Sequence, residues 1–153
     1  YPDLLVSGLV SQSSALVKNG AGSMELYEAN TYTGPTTINA GTVILEDTAA
    51  LGSAAAGTTV NSGASLLLGY GVGALPEVLT LNGPGVGGFG ALIGTGTATV
   101  GTNVVLGSAT TINAFTNGLS GASLAINGTI SGTGPITKIG IGTLQLAGSG
   151  GML

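Results

Sequence analysis

A phrase of six residues that returns at a fixed interval constrains this chain more than any other feature. Thr36-Thr37-Ile38-Asn39-Ala40-Gly41 comes back 22 residues later as Thr58-Thr59-Val60-Asn61-Ser62-Gly63, and the match runs on through Ile44-Leu45 against Leu66-Leu67. Thr80-Leu81-Asn82-Gly83 is a third copy. Thr111-Ile112-Asn113-Ala114 and Ala125-Ile126-Asn127-Gly128 keep the phrase at less regular spacing, as inserted loops would produce. A period in the low twenties fits one rung of a β-solenoid, in which each rung is too small to bury its own apolar face and stacking supplies the core. The 153 residues then make about seven rungs, stacked at roughly 4.8 Å.

Within rungs the side chains alternate, as in Gly22-Ser23-Met24-Glu25-Leu26 and Gly142-Thr143-Leu144-Gln145-Leu146. This parity, with the 22-residue alignment, predicts Met24, Leu26, Val43, Leu45, Leu67, Leu144 and Leu146 inward. Glycine interrupts every candidate helical stripe and Thr, Val and Ile dominate, so little or no helix is expected. Residues 1–153 read as a single all-β, parallel β-solenoid domain, a segment of a longer repeat protein or a filament subunit. The recurring Asn39, Asn61, Asn82, Asn113 and Asn127 fit two roles. Their amides can form a ladder from rung to rung, or each Asn can occupy a left-handed turn position.

A second, longer period joins the two ends. Leu5-Val6-Ser7-Gly8 and Leu16 to Leu26 match Ala125-Ile126-Asn127-Gly128 and Ile136 to Leu146 at an offset of 120, which places Lys18 and Lys138 on equivalent positions. Lys18-Asn19-Gly20-Ala21-Gly22-Ser23-Met24-Glu25-Leu26, then Asn30-Thr31-Tyr32-Thr33-Gly34, then Thr36 to Val43 resemble the passenger-associated strand repeat of bacterial autotransporters. The resemblance covers residues 16 to 45 and again 136 to 148. It implies a right-handed parallel β-helix, exported to the bacterial cell surface; it does not imply an enzymatic activity. The second copy lacks the Asn-Thr-Tyr-Thr-Gly that should follow it, and the segment contains no outer-membrane barrel. A chain opening on Tyr1-Pro2-Asp3 reads as a mature or excised piece, expected to be a passenger fragment or a relative that uses the same repeat in a separate secreted protein, and not an exporter.

The chemistry available is narrow. Two lysines, no arginine and a formal charge of -4 leave no basic footprint for nucleic acid. Without His or Cys, Ser-His-Asp and Cys-His arrangements and the usual zinc sites cannot be assembled. Leu66 to Pro76 is apolar but is broken by Gly69, Gly71 and Gly73, too short and Gly-rich to enter a membrane. The acids are Asp3, Glu25, Glu28, Glu46, Asp47 and Glu77. Glu46 and Asp47 are expected on opposite sides of a strand, Glu25 and Glu28 across a corner, and neither pair recurs at rung spacing. Gly85 to Gly90 satisfies a dinucleotide-binding glycine pattern without the required helix or downstream acid. Thr95, Thr97 and Thr99 suggest an ice-binding row that does not recur, and the sequon Asn127-Gly128-Thr129 reads as chance.

No catalytic, cofactor-binding or metal-ligating residue is assigned, and no cofactor is expected. The reading is a non-enzymatic extracellular module: a stalk, adhesin passenger or filament building block. Its expected partners are other copies of itself, stacked end to end, or a cell-surface or glycan target. The alternative is a carbohydrate-binding or carbohydrate-active β-helix, with the acids and Tyr27, Tyr32 and Tyr70 as its contacts.

Overall fold

The computed structural model describes residues 3–116, 118 and 121–148; Tyr1 and the Gly-rich tail from 149 lie outside the described residues. Along the chain the strands are β1 (Leu4–Val6), β2 (Leu16–Lys18), β3 (Ser23–Leu26), β4 (Thr36–Ile38), β5 (Gly41–Leu45), β6 (Thr58–Val60), β7 (Ala64–Leu68), β8 (Ala74–Leu75), β9 (Leu79–Gly83), β10 (Leu92–Thr95), β11 (Thr97–Val100), β12 (Val104–Phe115), β13 (Ser123–Ile126), β14 (Ile130–Gly132), β15 (Ile136–Ile139) and β16 (Thr143–Leu146). The helical content among the described residues is one 3-10 turn, Val86–Gly88.

Strand pairing is parallel throughout the named ladders, and the strands sort into three faces of a solenoid of about six turns. The first face stacks β2, β4, β6, β9, the start of β12 and β14. The second stacks β1, β3, β5, β7, β10, the end of β12 and β15. The third holds β8, β11, β13 and β16. β12 runs along two faces, and its register shift between Leu106 and Thr110 marks the corner. The irregular spacing seen in the sequence comes from two insertions, residues 84–91 before β10 and 116–122 before β13.

The core runs along the solenoid axis. Alternation is strict in β3, β4, β5 and β9, and Leu26, Ile38, Val43, Leu45, Leu66, Leu68, Leu79, Leu81, Leu92 and Leu124 are buried. Leu26, Val43 and Leu45 point inward as expected, but Leu67 does not. Val43 lies beside Leu66 and Leu45 beside Leu68, so Leu67 follows Ile44 on the outer side. The displacement arises in the turn: Asn61 is separated from β7 by Ser62 and Gly63, whereas Asn39 is separated from β5 by Ala40 alone. One added residue slips the register by one, and a one-residue slip exchanges the faces. Leu144 is half-buried against the core and Leu146 is exposed, although Leu146 shares its register with buried Ile126. Both belong to the outermost turn described, which is covered on one side.

The ladder role of asparagine holds for part of the set. Asn39 Nδ2 donates to Asn19 Oδ1 at 2.9 Å, and Asn61 Nδ2 donates to Asn39 Oδ1 at 2.7 Å. The amide of Asn82 turns instead to the Val60 carbonyl at 3.1 Å, and that of Asn113 to the Phe89 carbonyl at 2.8 Å. The left-handed role fails, because every positive-φ residue described is glycine.

Candidate functional surface

The Lys18 corner joins the first face to the second. Gly20, at φ 82°, turns the chain between β2 and β3 and aims its carbonyl inward. Lys18 is almost fully buried, and its ammonium donates to Gly20 O at 2.7 Å and to Asn19 O and Ala40 O at 3.1 Å. A buried cation is tolerated only when such acceptors replace its water. Gly41, in the next turn, is held to glycine by this arrangement, since a Cβ there would collide with Gly22 O and crowd the ammonium. Lys138 repeats the gesture, donating to Gly140 O at 2.6 Å across a glycine at φ 79°. The two near-copies are therefore one kind of corner, but they sit at different places. Lys18 lies beside Ile38 on the first face and Lys138 beside Ile112 on the second.

Asn30 clasps three successive turns. Its Oδ1 accepts from Val10 N at 2.8 Å, its Nδ2 donates to Ala50 O at 2.7 Å, and its own N–H donates to Ala49 O at 3.0 Å. Two residues on, Tyr32 enters the core, and its hydroxyl shares a 2.6 Å hydrogen bond with Thr36 Oγ1. Tyr32 thus cannot serve as the glycan contact that the sequence suggested. Thr36 lies beside Thr58, which lies beside Leu79. Into the same interior comes Glu77, 1% exposed, with neither carboxylate oxygen hydrogen-bonded; Thr58 Oγ1 is likewise buried and unpaired. Burial pushes the Glu77 carboxyl up to about 7. Burial, with a smaller contribution from Glu77, pushes the Tyr32 phenol up to about 12.

Residues 16–45, which build the Lys18 corner, the Asn30 clasp and the turn into β5, match the family described as the passenger-associated-transport-repeat. The chain carries the autotransporter passenger repeat. Over 145 residues it is also 32% identical to the adhesin BmaC autotransporter of Brucella suis biovar 1 (strain 1330). That match takes in 95% of this chain and 4% of the relative, so the chain spans a small part of the protein it resembles. No solved structure matches it.

Around this passenger repeat, the candidate motifs fall as follows. Glu46 and Asp47 lie past the end of β5 in a turn, not on opposite sides of a strand, and Asp47 Oδ1 accepts from Ala49 N at 2.7 Å. Glu25 and Glu28 do flank a corner. Partial burial, and then the charge of Glu25, raise the Glu46 carboxyl. Among the described residues, no three acidic side chains are placed to hold a metal ion together. Gly85 to Gly90 forms a loop closed by a Gly85–Gly90 bridge and held by Ser65, whose Oγ accepts from Val86 N and donates to Gly90 O. It leads into strand β10, so no helix terminus faces a phosphate. Thr99 lies between Ala74 and Ala125; the longest row of threonines in register among the described residues is Thr37, Thr59 and Thr80 on the first face.

Reasoning from the sequence missed the corner that follows the second face. There Tyr27, Glu46, Gly69, Thr95 and Phe115 succeed one another turn by turn, as the backbone bonds Glu46 N to Leu26 O and Gly69 N to Leu45 O and the Thr95–Phe115 pairing show. Glu46 folds across Gly69, and the Tyr70 ring lies across Gly96, each glycine making room for the side chain before it. Tyr27, Tyr70 and Phe115 are 54%, 70% and 43% exposed.

Proposed function

We propose that this chain is a rigid, non-enzymatic segment of an autotransporter passenger, displayed at the bacterial cell surface, where it extends and presents an adhesin. The observation that carries this reading is the uninterrupted parallel stack in which the passenger repeat forms one turn among equals. Successive turns hydrogen-bond to one another, so the unit adds length and stiffness. The similarity to an adhesin autotransporter supports both the location and the absence of turnover. Electron microscopy of the purified chain should show short rods, about 29 Å long for six turns at 4.8 Å each. A panel of glycan lyase and hydrolase substrates should give no product, and reproducible turnover would sink the reading.

Association of copies end to end belongs to the same proposal. The exposed side chains of Leu4 and Leu5 at one end and Leu146 at the other supply apolar edge surface, and such a head-to-tail contact does not close. Because the two near-copies occupy corners one face apart, a copy stacked in the way their match implies is turned by one face about the axis. Light scattering over a dilution series should reveal this growth, and a variant with Lys at positions 5 and 146 should abolish it. A wild type that stays monomeric at high concentration, no different from the variant, defeats the stacking idea and leaves the rod intact.

A further inference from the structure

We propose that Asn19-Gly20, in the Lys18 corner, is a self-modifying site at which the Asn19 side chain closes onto the Gly20 nitrogen and ends as an acidic residue. Four Asn-Gly steps occur in the sequence, and those at 19, 82 and 127 have both residues described. In such a step the glycine nitrogen can attack the Asn Cγ, because no side chain on the glycine blocks the approach. A Cγ–N bond forms and closes a succinimide ring, the Cγ–Nδ2 bond breaks, and ammonia leaves with the proton that the glycine nitrogen gave up. Water then opens the ring at one carbonyl or the other, leaving aspartate or isoaspartate.

The corner activates both partners in this reaction. Lys18 Nζ donates to Asn19 O at 3.1 Å, and that oxygen belongs to the same peptide group as the Gly20 nitrogen. When the nitrogen loses its proton, negative charge spreads onto this oxygen, where the buried ammonium already stands. On the other partner, Asn39 Nδ2 donates at 2.9 Å to Asn19 Oδ1, the oxygen that takes up charge as the nitrogen adds to Cγ. The nucleophile is open. Gly20 is exposed, a Cβ there would meet nothing, and among the described residues its N–H has no acceptor.

The other asparagines each lack a part. Asn39 and Asn61, on the same ladder, are followed by Ala40 and Ser62 and not by glycine. At Asn82 the leaving amide donates to Val60 O at 3.1 Å and Gly83 N donates to Ser108 Oγ at 3.0 Å, so both reacting nitrogens are tied. The two lysine ammonium groups bond elsewhere than at Asn127. In the second lysine corner the counterpart of Asn19 is Ile139, so the near-copy keeps lysine and glycine without the reacting amide. An aspartate at 19 would still accept from Asn39, whereas isoaspartate adds a backbone carbon to the turn that holds Lys18. This chemistry goes beyond the display role and does not depend on it.

The test is peptide mapping by mass spectrometry of the purified chain, folded and in guanidinium, held in one mildly alkaline buffer made with heavy-oxygen water. In the folded chain Asn19 should convert about tenfold faster than Asn82 or Asn127, and about tenfold faster than Asn19 itself in guanidinium. The products should carry a solvent oxygen and include isoaspartate, which only the ring can give. Lys18→Met should slow the conversion about tenfold and Asn39→Ala about threefold. Melting shows whether each variant still folds, and if Lys18→Met does not, the comparison of folded and unfolded wild type decides. A folded Asn19 that stays an amide, or that reacts no faster than in guanidinium, overturns the proposal. So does a rate that Lys18→Met and Asn39→Ala, both folded, leave unchanged.

Discussion

Glu77 is a side chain that the fold holds against its chemistry. The sequence offered it with the other acids as a surface contact, yet it is fully buried with both carboxylate oxygens unpaired. Loss of hydration favours the neutral acid, which raises the carboxyl from its ordinary value near 4.5 to about 7. In the unfolded chain Glu77 releases its proton near the ordinary value, whereas in the folded chain it keeps the proton until about 7. The unfolded state therefore binds fewer protons between these limits, and stability is fully present below about 4.5 and declines as pH rises to about 7. The decline is about 3 to 4 kcal/mol, from 4.5 to about 7 at ~1.4 kcal/mol per pH unit. Thermal melts should fall from pH 5 to pH 8, and Glu77→Gln should remove most of the slope. Glu46, also raised, contributes a smaller slope of the same sign that survives the substitution, while the Tyr32 phenol titrates far above this range. A wild type with no slope, or a slope unchanged in Glu77→Gln, would rule out an ionisable Glu77 in the core.

Strands here are too short to fix their own register, so the turns between them do it. β5 and β7 each hold five residues, alternating strictly in β5 and interrupted by the buried Ser65 in β7, but the turn before β7 is one residue longer. Alignment by period alone matched Leu45 to Leu67; pairing matches Leu45 to Leu68. The consequence is measurable. Leu66→Ser, which opens a cavity and buries a hydroxyl, should cost about 3 kcal/mol, while Leu67→Ser on the outer side should cost less than about 1. Urea midpoints compare the two directly, and equal effects would mean the register is wrong. The asparagine ladder obeys the same rule. Asn19, Asn39 and Asn61 meet because the spacing from strand to Asn is constant across β2, β4 and β6.

Each turn of the stack touches only its neighbours, so stability accumulates along the axis and fades at the outermost turns described. The buried cluster extends from Met24 to Ile126, while β1, β15 and β16 hold side chains that are half-buried or exposed. Hydrogen exchange should therefore be slowest for amides of β5, β7 and β10 and fastest for β1 and β16. Uniform protection along the chain would contradict a one-dimensional stack. The 120-residue match between the ends takes on a different meaning in this setting. It records a corner, strand then glycine turn then strand, that can be used wherever a face must end. Two insertions of unequal place, before β10 and before β13, shift the phase by which later motifs meet the faces.

Period, glycine content and alternation were enough to establish a parallel β-solenoid and the inward Met24, Leu26, Val43 and Leu45, because each is a local property that stacking repeats without change. The faces on which the two lysine corners fall, the inward choice at Leu66 over Leu67, and the burial of Tyr32 and Glu77 were not legible. They depend on summed turn lengths and on which side chains arrive in the same interior corner. The column of Tyr27, Glu46, Gly69, Thr95 and Phe115 is of the same kind: these residues are spaced irregularly along the chain, and only the closing of each turn, with its own number of residues, brings them into register.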